Sequence, residues 1–494
     1  MNVLFALRRA KQFYGSNPAS GGLNWAEFYE LVYRKAAFLR GLGIEKGDRV
    51  AVWMLNSHEY LELYFATAIA GVAIVPLNTR WHVKDVDFTL VDSGAKALFV
   101  DAHFAAKVGE LEHAPRVLVS CDCSNANVAF EEPDENDMLG LFYTSGTTGG
   151  PKGVMLTHRN LWANTVQSMM AIGITQGVWL HAAPMFHAAD LWTVYMLAML
   201  GSANFYLPTF DPEAFLRSVE THRVTDTVIV PTMISMVLHH PSFDAFDLSS
   251  LRRVLYGASP IPGPLIELAM RKLPHVEFIQ AYGMTETSPV LTVLRHEDHH
   301  GARLAAAGRP VLGVEVRVVD PADREVGVGE CGEVIARGAN IMKGYWNRPE
   351  ISAEALRGGW MHTGDLGRFD KNGFLYILDR KKDMIKPGSE NVYSPEVEST
   401  ILGHPSVLEA AVIGVPHEKW GEAIRAVVVC RAGCEVEEME LIAWCRERMT
   451  HFKCPTSVVV AEALPKGGTG KIQKNVLRER YGGSNRYPAA SSQN

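Results

Sequence analysis

The sequence predicts an α/β protein. A large N-terminal domain of mostly parallel sheets flanked by helices, plus a small β-barrel, precedes a small mobile α+β C-terminal domain. Three observations predict it. Over the first ~300 residues, short apolar runs alternate with stretches of helical spacing, the pattern of strand–helix units on parallel sheets. From Gly308 the pattern changes to strands divided by Gly, Pro and Asp turns. The 494 residues also exceed one core, since single cores stop growing at roughly 250–300 residues. The charged run Asp379-Arg-Lys-Lys-Asp383 is the natural boundary, giving domains 1–381 and 382–494.

Taken in order, Trp25–Leu42 reads as a helix stopped by Gly41-Leu-Gly43, and Arg49–Met54 as a buried strand. Tyr60–Ala70 is helical, Ile74–Leu77 a strand, and Thr89–Val100 repeats the unit. Residues 121–137 are polar and acidic and read as an exposed link. Asn160–Met170 reads as a helix and Leu180–Phe186 as a strand. The helix Asp190–Leu200, strand Asn204–Leu207 and helix Pro212–His222 follow. Three strand ends come next: Thr227–Val230 before Pro231-Thr232, Leu251–Tyr256 before Gly257-Ala258-Ser259, and Phe278–Ala281 before Tyr282-Gly283. Ligands in open parallel sheets bind beyond the carboxyl ends of strands, so these ends converge on one crevice. Val314–Val319, Gly332–Ala336 and Gly373–Leu378 form the antiparallel part. Beyond the boundary lie Pro395–Leu402, Val407–Val415, Ala426–Cys430, Glu438–Arg448 and Ser457–Val460. The tail 482–494 reads as disordered.

Composition narrows the class. Hydrophobic residues at 47% and charged residues at 21% fit a globular enzyme. A net charge of −7 makes no case for nucleic-acid binding. The seven cysteines include no pair of Cys-x-x-Cys clusters, which argues against zinc, and their odd number fits reduced thiols in a cytoplasm. The apolar run near Leu191–Leu200 is too short to span a bilayer.

Chemistry concentrates in a few stretches. Residues 140–153 read Gly-Leu-Phe-Tyr-Thr-Ser-Gly-Thr-Thr-Gly-Gly-Pro-Lys-Gly. A strand end runs into glycines that let successive N–H groups face one concavity, a nest for phosphate oxygens. Thr144, Ser145, Thr147 and Thr148 add hydroxyls, Gly146 and Gly149 add backbone freedom, and Lys152 adds a charge. This is not a Walker A loop, which requires Gly-Lys-Ser/Thr after its spacer. In Tyr282-Gly-Met-Thr-Glu-Thr-Ser-Pro289, Tyr282 offers a ring to a base and Thr285 a hydroxyl to a phosphate. Glu286 offers a hard oxygen to Mg²⁺, which favours carboxylate plus substrate phosphates. Asp365, in Thr363-Gly-Asp365, suits a ribose diol, and Arg380 reaches the same sugar or the α-phosphate. Leu464-Pro-Lys-Gly-Gly-Thr-Gly-Lys471 puts a point charge, Lys471, on a glycine-rich loop that can enter the crevice. His187, after Pro184-Met-Phe, reads as a structural histidine by itself, but its place at the crevice mouth sets it near the acyl substrate.

These segments, in this order, resemble the adenylate-forming superfamily, on its acyl- and aryl-CoA ligase branch, over residues ~20–480. The resemblance implies ATP-dependent conversion of a carboxylic acid to acyl-AMP, then thioester formation with CoA, using Mg²⁺. It implies Lys471, Thr285, Glu286 and His187 at the catalytic centre, with Glu286 on the metal. It implies Gly257, Ala258, Ser259, Ala281, Tyr282 and Gly283 around adenine, and Asp365, Tyr376 and Arg380 toward the ribose. Lys386, Gly388 and Ser389 would line the CoA path, with Ser389 standing where many relatives have a second glycine. The acyl pocket would comprise His187, Trp192, Thr232, Met233, Tyr256, Met284 and Val290. The small domain would turn about Lys382. His187 replaces the aspartate that amino-acid-activating relatives use, which argues against an amino-acid substrate; fatty and cinnamic acids both remain open. The implied partners are small molecules, with no nucleic acid and no integral membrane segment, and a homodimer is left open. A carrier-loading adenylation enzyme, a luciferase-like oxygenase and an inactive nucleotide binder are the alternatives. Intact Lys471, Glu286 and Asp365 speak against the last.

Overall fold

A computed structural model describes residues 1–119, 128–144, 151–388, 390–467 and 472–483. Two large sheets carry the N-terminal part. In the nine-stranded sheet, Glu277–Gly283, Arg253–Gly257, Asp226–Ile229, Val178–His181, Ala203–Tyr206 and Pro18–Ser20 lie side by side and run parallel. Antiparallel Val290–Leu294 and Arg309–Pro310 extend one edge. In the seven-stranded sheet, Met138–Thr144, Ala73–Pro76, Arg49–Trp53, Ala97–Val100 and Arg116–Leu118 are parallel. Antiparallel Lys152–Thr157 and Gly344–Tyr345 complete it.

Helices Leu4–Tyr14, Trp25–Gly41, His58–Ala70 and Ala188–Leu200 supply an apolar core with Trp25, Phe28, Phe65 and Tyr195 fully buried. Local chemistry sets their ends. Asn24 accepts the Glu27 N–H while the Glu27 carboxylate accepts the Asn24 N–H, a reciprocal cap for the helix from Trp25. The strand expected over Leu180–Phe186 ends at His181. Beyond it, Asn56 Nδ2 binds the His181 and Ala183 carbonyls and Asn56 Oδ1 accepts the Met185 N–H, so the backbone leaves the sheet edge there.

The segment expected as a barrel is a four-stranded antiparallel sheet: Val314–Val319, Gly332–Gly338, Met361–Phe369 and Leu375–Arg380. Its outer strands do not pair with each other. The nine-residue strand Met361–Phe369 escapes sequence reading because Gly364, Asp365 and Gly367 interrupt its apolar alternation. The helices Leu4–Tyr14, Gly263–Lys272 and Lys474–Tyr481 are also absent from the sequence reading.

Past the charged run, Val407–His417, Gly421–Cys430 and Ser457–Val460 form a three-stranded sheet. Helices Ser394–Leu402 and Glu438–Arg446 pack on it around Ile385, Val397, Ile401, Val412, Ile424 and Leu441, an apolar core separate from those of the large sheets. Among the described residues, no helix is long and apolar enough to cross a membrane.

Candidate active site

The phosphate-loop stretch connects two antiparallel strands, with Thr144 opposite Lys152. Ser145, Gly146, Thr147, Thr148 and Gly149 lie outside the described residues, as do Ser389 and Lys471. What flanks the loop is tightly fixed. Tyr143 donates to Asp92 Oδ2 at 2.6 Å, and Arg348 Nη2 reaches Asp92 Oδ1 at 3.1 Å. Trp346 Nε1 donates to the Asp92 carbonyl at 2.9 Å.

Of two neighbouring parallel strands, the first ends at Gly257, opposite Ala281, and the second runs on to Gly283. A Cβ on Gly257 would sit 2.2 Å from the Ala281 carbonyl oxygen, so no larger residue fits without moving backbone. Ala258 follows with φ 66°, a left-handed turn that bends the chain across the strand ends toward Ser259. On the next strand, a Cβ on Gly283 would lie 1.7 Å from the Pro289 carbonyl oxygen. Close backbone approach therefore dictates both glycines.

Three strands converge on Asp365. Tyr282 Oη donates to Asp365 Oδ2 at 2.8 Å, and Arg380 Nε faces Asp365 Oδ1 at 3.3 Å across the 365–380 strand pair. Thr363 Oγ1 accepts the Asp365 N–H at 3.1 Å and donates to the Val334 carbonyl, fixing the turn. Asp365 is 5% exposed. Burial, with the Asp365 charge next, pushes the Tyr282 phenol well above its ordinary value, so it remains a hydrogen-bond donor. Tyr376 lies four residues before Arg380 on the same strand and packs beside Arg368 rather than against Asp365.

Thr285 and Glu286 occupy a buried single turn, Thr285–Thr287. Tyr345 Oη donates to Glu286 Oε1 at 2.9 Å, and the Lys152 ammonium stands 5.7 Å from the Tyr345 ring centre. Burial raises the Glu286 carboxyl above the usual carboxylate range. Among the described residues no cation lies within ion-pair distance of it. A buried carboxylate without a cationic partner is costly, and a hard dication with phosphate ligands answers that cost. The donor set therefore fits Mg²⁺. Tyr345 is the residue sequence reasoning missed; a lone Gly-Tyr pair in a loop carries no signal until the fold sets it against Lys152 and Glu286.

The acyl-pocket candidates divide between two faces. Trp192 and Val290 share an apolar cluster with Leu255, Ile279, Ala281 and Tyr282. Met233 and Tyr256 pack on another cluster, with Val230, Ile234 and Phe278, and Tyr256 Oη meets His299 Nε2 at 2.7 Å. Strand alternation explains the split: Leu255 and Tyr256 are neighbours, so they point to opposite faces. Thr232 sits half-buried in the first turn of Pro231–Leu238, and Met284 packs partly against the large helical core. His187 caps the helix Ala188–Leu200 through Nδ1, which accepts the Ala189 N–H at 3.4 Å. Asp190 faces inward, where its carboxylate meets His181 Nδ1 at 2.7 Å.

The boundary segment is bonded on both sides. Asp379 Oδ2 accepts from Ser394 N–H at 2.7 Å and from its hydroxyl at 2.8 Å, across Lys382 in the chain. Lys474 pairs with Glu398, and Arg478 with Asp383. Burial lowers the Lys382 ammonium. Lys386 N–H donates to Glu422, and Gly388 N–H to the Trp420 carbonyl, so this loop rides on the C-terminal sheet. Arg80 Nη1 reaches the Gly467 carbonyl at 3.4 Å, joining the glycine-rich loop to the N-terminal part.

Comparison with known proteins agrees with this arrangement. The model of the AMP-binding enzyme family matches residues 9–346, and that of the AMP-binding enzyme C-terminal domain matches residues 396–471. A feruloyl-CoA synthase of Amycolatopsis sp is 42% identical over 468 residues, 93% of this chain and 94% of the relative. The long-chain-fatty-acid–CoA ligase FadD13 of Mycobacterium tuberculosis is 38% identical, with 93% of each covered. The solved o-succinylbenzoate CoA synthetase (MenE) from Bacillus subtilis, in complex with its acyl-adenylate intermediate, superposes with a TM-score of 0.89 at 32% identity, covering 97% of this chain and 99% of that one. The chain belongs to the AMP-binding, adenylate-forming enzyme family, on its acyl- and aryl-CoA ligase branch.

Proposed function

We propose that the protein is an AMP-forming acid–CoA ligase whose acid is an aryl, cinnamate-type carboxylate. The observation that carries the reading is the meeting of Tyr282, Asp365 and Arg380 beside the Gly257 and Gly283 strand ends, with Glu286, Tyr345 and Lys152 nearby in the fold. One group suits a nucleoside; the other suits a triphosphate with its dication.

In the first half-reaction a carboxylate oxygen of the acid attacks the α-phosphorus of ATP, and the bond to pyrophosphate breaks. Asp365 accepts the ribose hydroxyls while Arg380 holds its carboxylate in place. Lys152 and the loop before it balance the β,γ-phosphate charge, and Thr285 donates to a phosphate oxygen. Glu286 would hold Mg²⁺, which would supply positive charge to screen the phosphates. Lys471 stabilises the charge spread over carboxylate and α-phosphate. In the second half-reaction the CoA sulfur attacks the acyl carbon and AMP departs. We place the domain boundary at 381/382 and the pivot at Lys382, so that one crevice serves both transition states in turn. The hydrogen bonds from Ser394 to Asp379 then hold the orientation seen in this structure.

The aryl assignment rests on the 42% identity to a feruloyl-CoA synthase and on the apolar cluster of Trp192, Val290, Leu255 and Ile279, which suits a flat acid without a second charge. The partners are therefore ATP, an acid and CoA. A pyrophosphate-release assay over cinnamic, benzoic and fatty acids, with and without CoA, tests the reading. The expected result is release with cinnamic acids and thioester formation on adding CoA. Preference for a long fatty acid overturns the aryl assignment, and absence of ATP turnover with every acid overturns the whole.

A further inference from the structure

The segment 342–346 is stitched to both halves of the phosphate site. Lys343 N–H donates to the Met155 carbonyl at 3.0 Å and Trp346 N–H to the Gly153 carbonyl at 2.8 Å, so Tyr345 pairs with Val154, two residues beyond Lys152 on the same strand. On the other side, Met342 N–H donates to the Glu286 carbonyl at 2.9 Å. Ser352 Oγ accepts the Tyr345 N–H at 2.8 Å, which fixes the base of the side chain. The side chain thus neighbours both an ammonium and a carboxylate: Lys152 lies 5.7 Å from the ring centre, and the hydroxyl donates to Glu286 Oε1 at 2.9 Å.

We propose that Tyr345 is the positioning residue for Glu286, aiming its carboxylate and keeping it apart from Lys152. This rests on the assignment of Glu286 to the metal. A phenol hydroxyl satisfies one carboxylate oxygen without cancelling its charge. The second oxygen and the full negative charge stay available to a dication. A direct Lys152–Glu286 ion pair would cancel both charges: the carboxylate would lose its hold on the metal, and the ammonium its hold on phosphate. Bonding the carboxylate to the phenol hydroxyl while the ring face neighbours the ammonium favours separate partners over that pairing. Groups that orient a metal ligand from behind typically matter by 10–100-fold in metal affinity.

The test uses the full-length protein, Mn²⁺ as probe and a non-cleavable α,β-methylene ATP, with bound Mn²⁺ read by paramagnetic resonance. No turnover is needed. Glu286→Gln removes the carboxylate charge and serves as reference. Tyr345→Phe keeps the ring and removes the donor. Its expected half-saturating Mn²⁺ concentration is about tenfold above wild type, with unchanged melting temperature and unchanged affinity for the analogue without metal. Tyr345→Ala removes the spacer as well and shifts Mn²⁺ saturation further than Tyr345→Phe. Wild-type Mn²⁺ saturation in Tyr345→Phe, with Glu286→Gln impaired, overturns the positioning role and leaves the metal assignment standing. Unimpaired Mn²⁺ binding in Glu286→Gln removes the metal assignment and the role of Tyr345 together. An equal loss of analogue affinity with and without metal in Tyr345→Phe also overturns the proposal, because it marks a general defect of the site.

Discussion

Replacing Asp365 by Asn is the sharpest test of the nucleotide site. The side chain is 7% exposed and holds two partners, Tyr282 at 2.8 Å and Arg380 at 3.3 Å. Asn keeps the size and one acceptor, so Tyr282 still has an oxygen to donate to. The second oxygen becomes an NH₂ group, which turns a donor toward the Arg380 guanidinium and cannot accept from a ribose hydroxyl. A hydrogen bond to a charged group contributes about 1.5–3 kcal/mol. Loss of one such bond to the ribose lowers kcat/KM for ATP by roughly 10–150-fold. Melting temperature should change little, because volume and the Tyr282 bond are kept and Arg380 is partly exposed. The assay is pyrophosphate release against ATP concentration at saturating acid, with a thermal melt alongside. A folded variant whose kcat/KM for ATP stays within about threefold of wild type, below the range one such bond implies, would falsify the ribose role.

Three further changes test other parts. Lys471→Ala should abolish pyrophosphate release yet spare thioester formation from preformed acyl-adenylate; equal loss of both half-reactions contradicts its role. Lys382→Pro should restrict the pivot and slow the thiol step more than adenylation, measured as separate half-reactions; an unchanged thiol step removes the pivot. His158, buried at the start of its helix, has its pKa lowered from 6.5 to about 4 by burial, against the opposing pull of Asp137, Glu132 and Asp134 and with Lys46 reinforcing the drop. The folded protein resists protonating it, so its contribution to stability is present above pH 6.5 and lost as pH falls toward 4. The lowered pKa corresponds to roughly 3 kcal/mol across that window. Melts from pH 7 to 4 should therefore fall more steeply for wild type than for His158→Gln; parallel curves rule this out.

The parallel strands were legible because they are buried on both faces and read as unbroken apolar runs: Ala73–Pro76 and Arg253–Gly257 stand where Ile74–Leu77 and Leu251–Tyr256 were expected. The helices Gly263–Lys272 and Lys474–Tyr481 were not legible. The second buries only Leu477 among its own residues and carries Lys474, Arg478 and Arg480, so its apolar stripe is too thin to register. The strand holding Asp365 was hidden for the opposite reason. Its glycines and carboxylate break the apolar alternation, and the position is held by neighbours on two other strands.

Motif spacing finds runs of residues with one chemistry and misses contacts that only the fold makes. Glu286 and Lys152 are visible because each lies in a run of residues with one chemistry, and a run is a one-dimensional signal. Their dependence on Tyr345 is a three-dimensional signal: 59 positions separate Tyr345 from Glu286 in the chain. The antiparallel pairing of Gly344–Tyr345 onto the strand from Lys152, with the Met342 N–H bonded to the Glu286 carbonyl, brings the phenol to both. The division of the acyl-pocket candidates follows from the same geometry. Closeness in sequence groups the residues next to a motif, whereas a strand sends Leu255 and Tyr256 to opposite faces. We place the acid on the Trp192 and Val290 side, away from Tyr256, so Tyr256→Phe should leave the acid range unchanged. A Tyr256→Phe variant with an altered acid preference would place the pocket on the opposite face of the sheet.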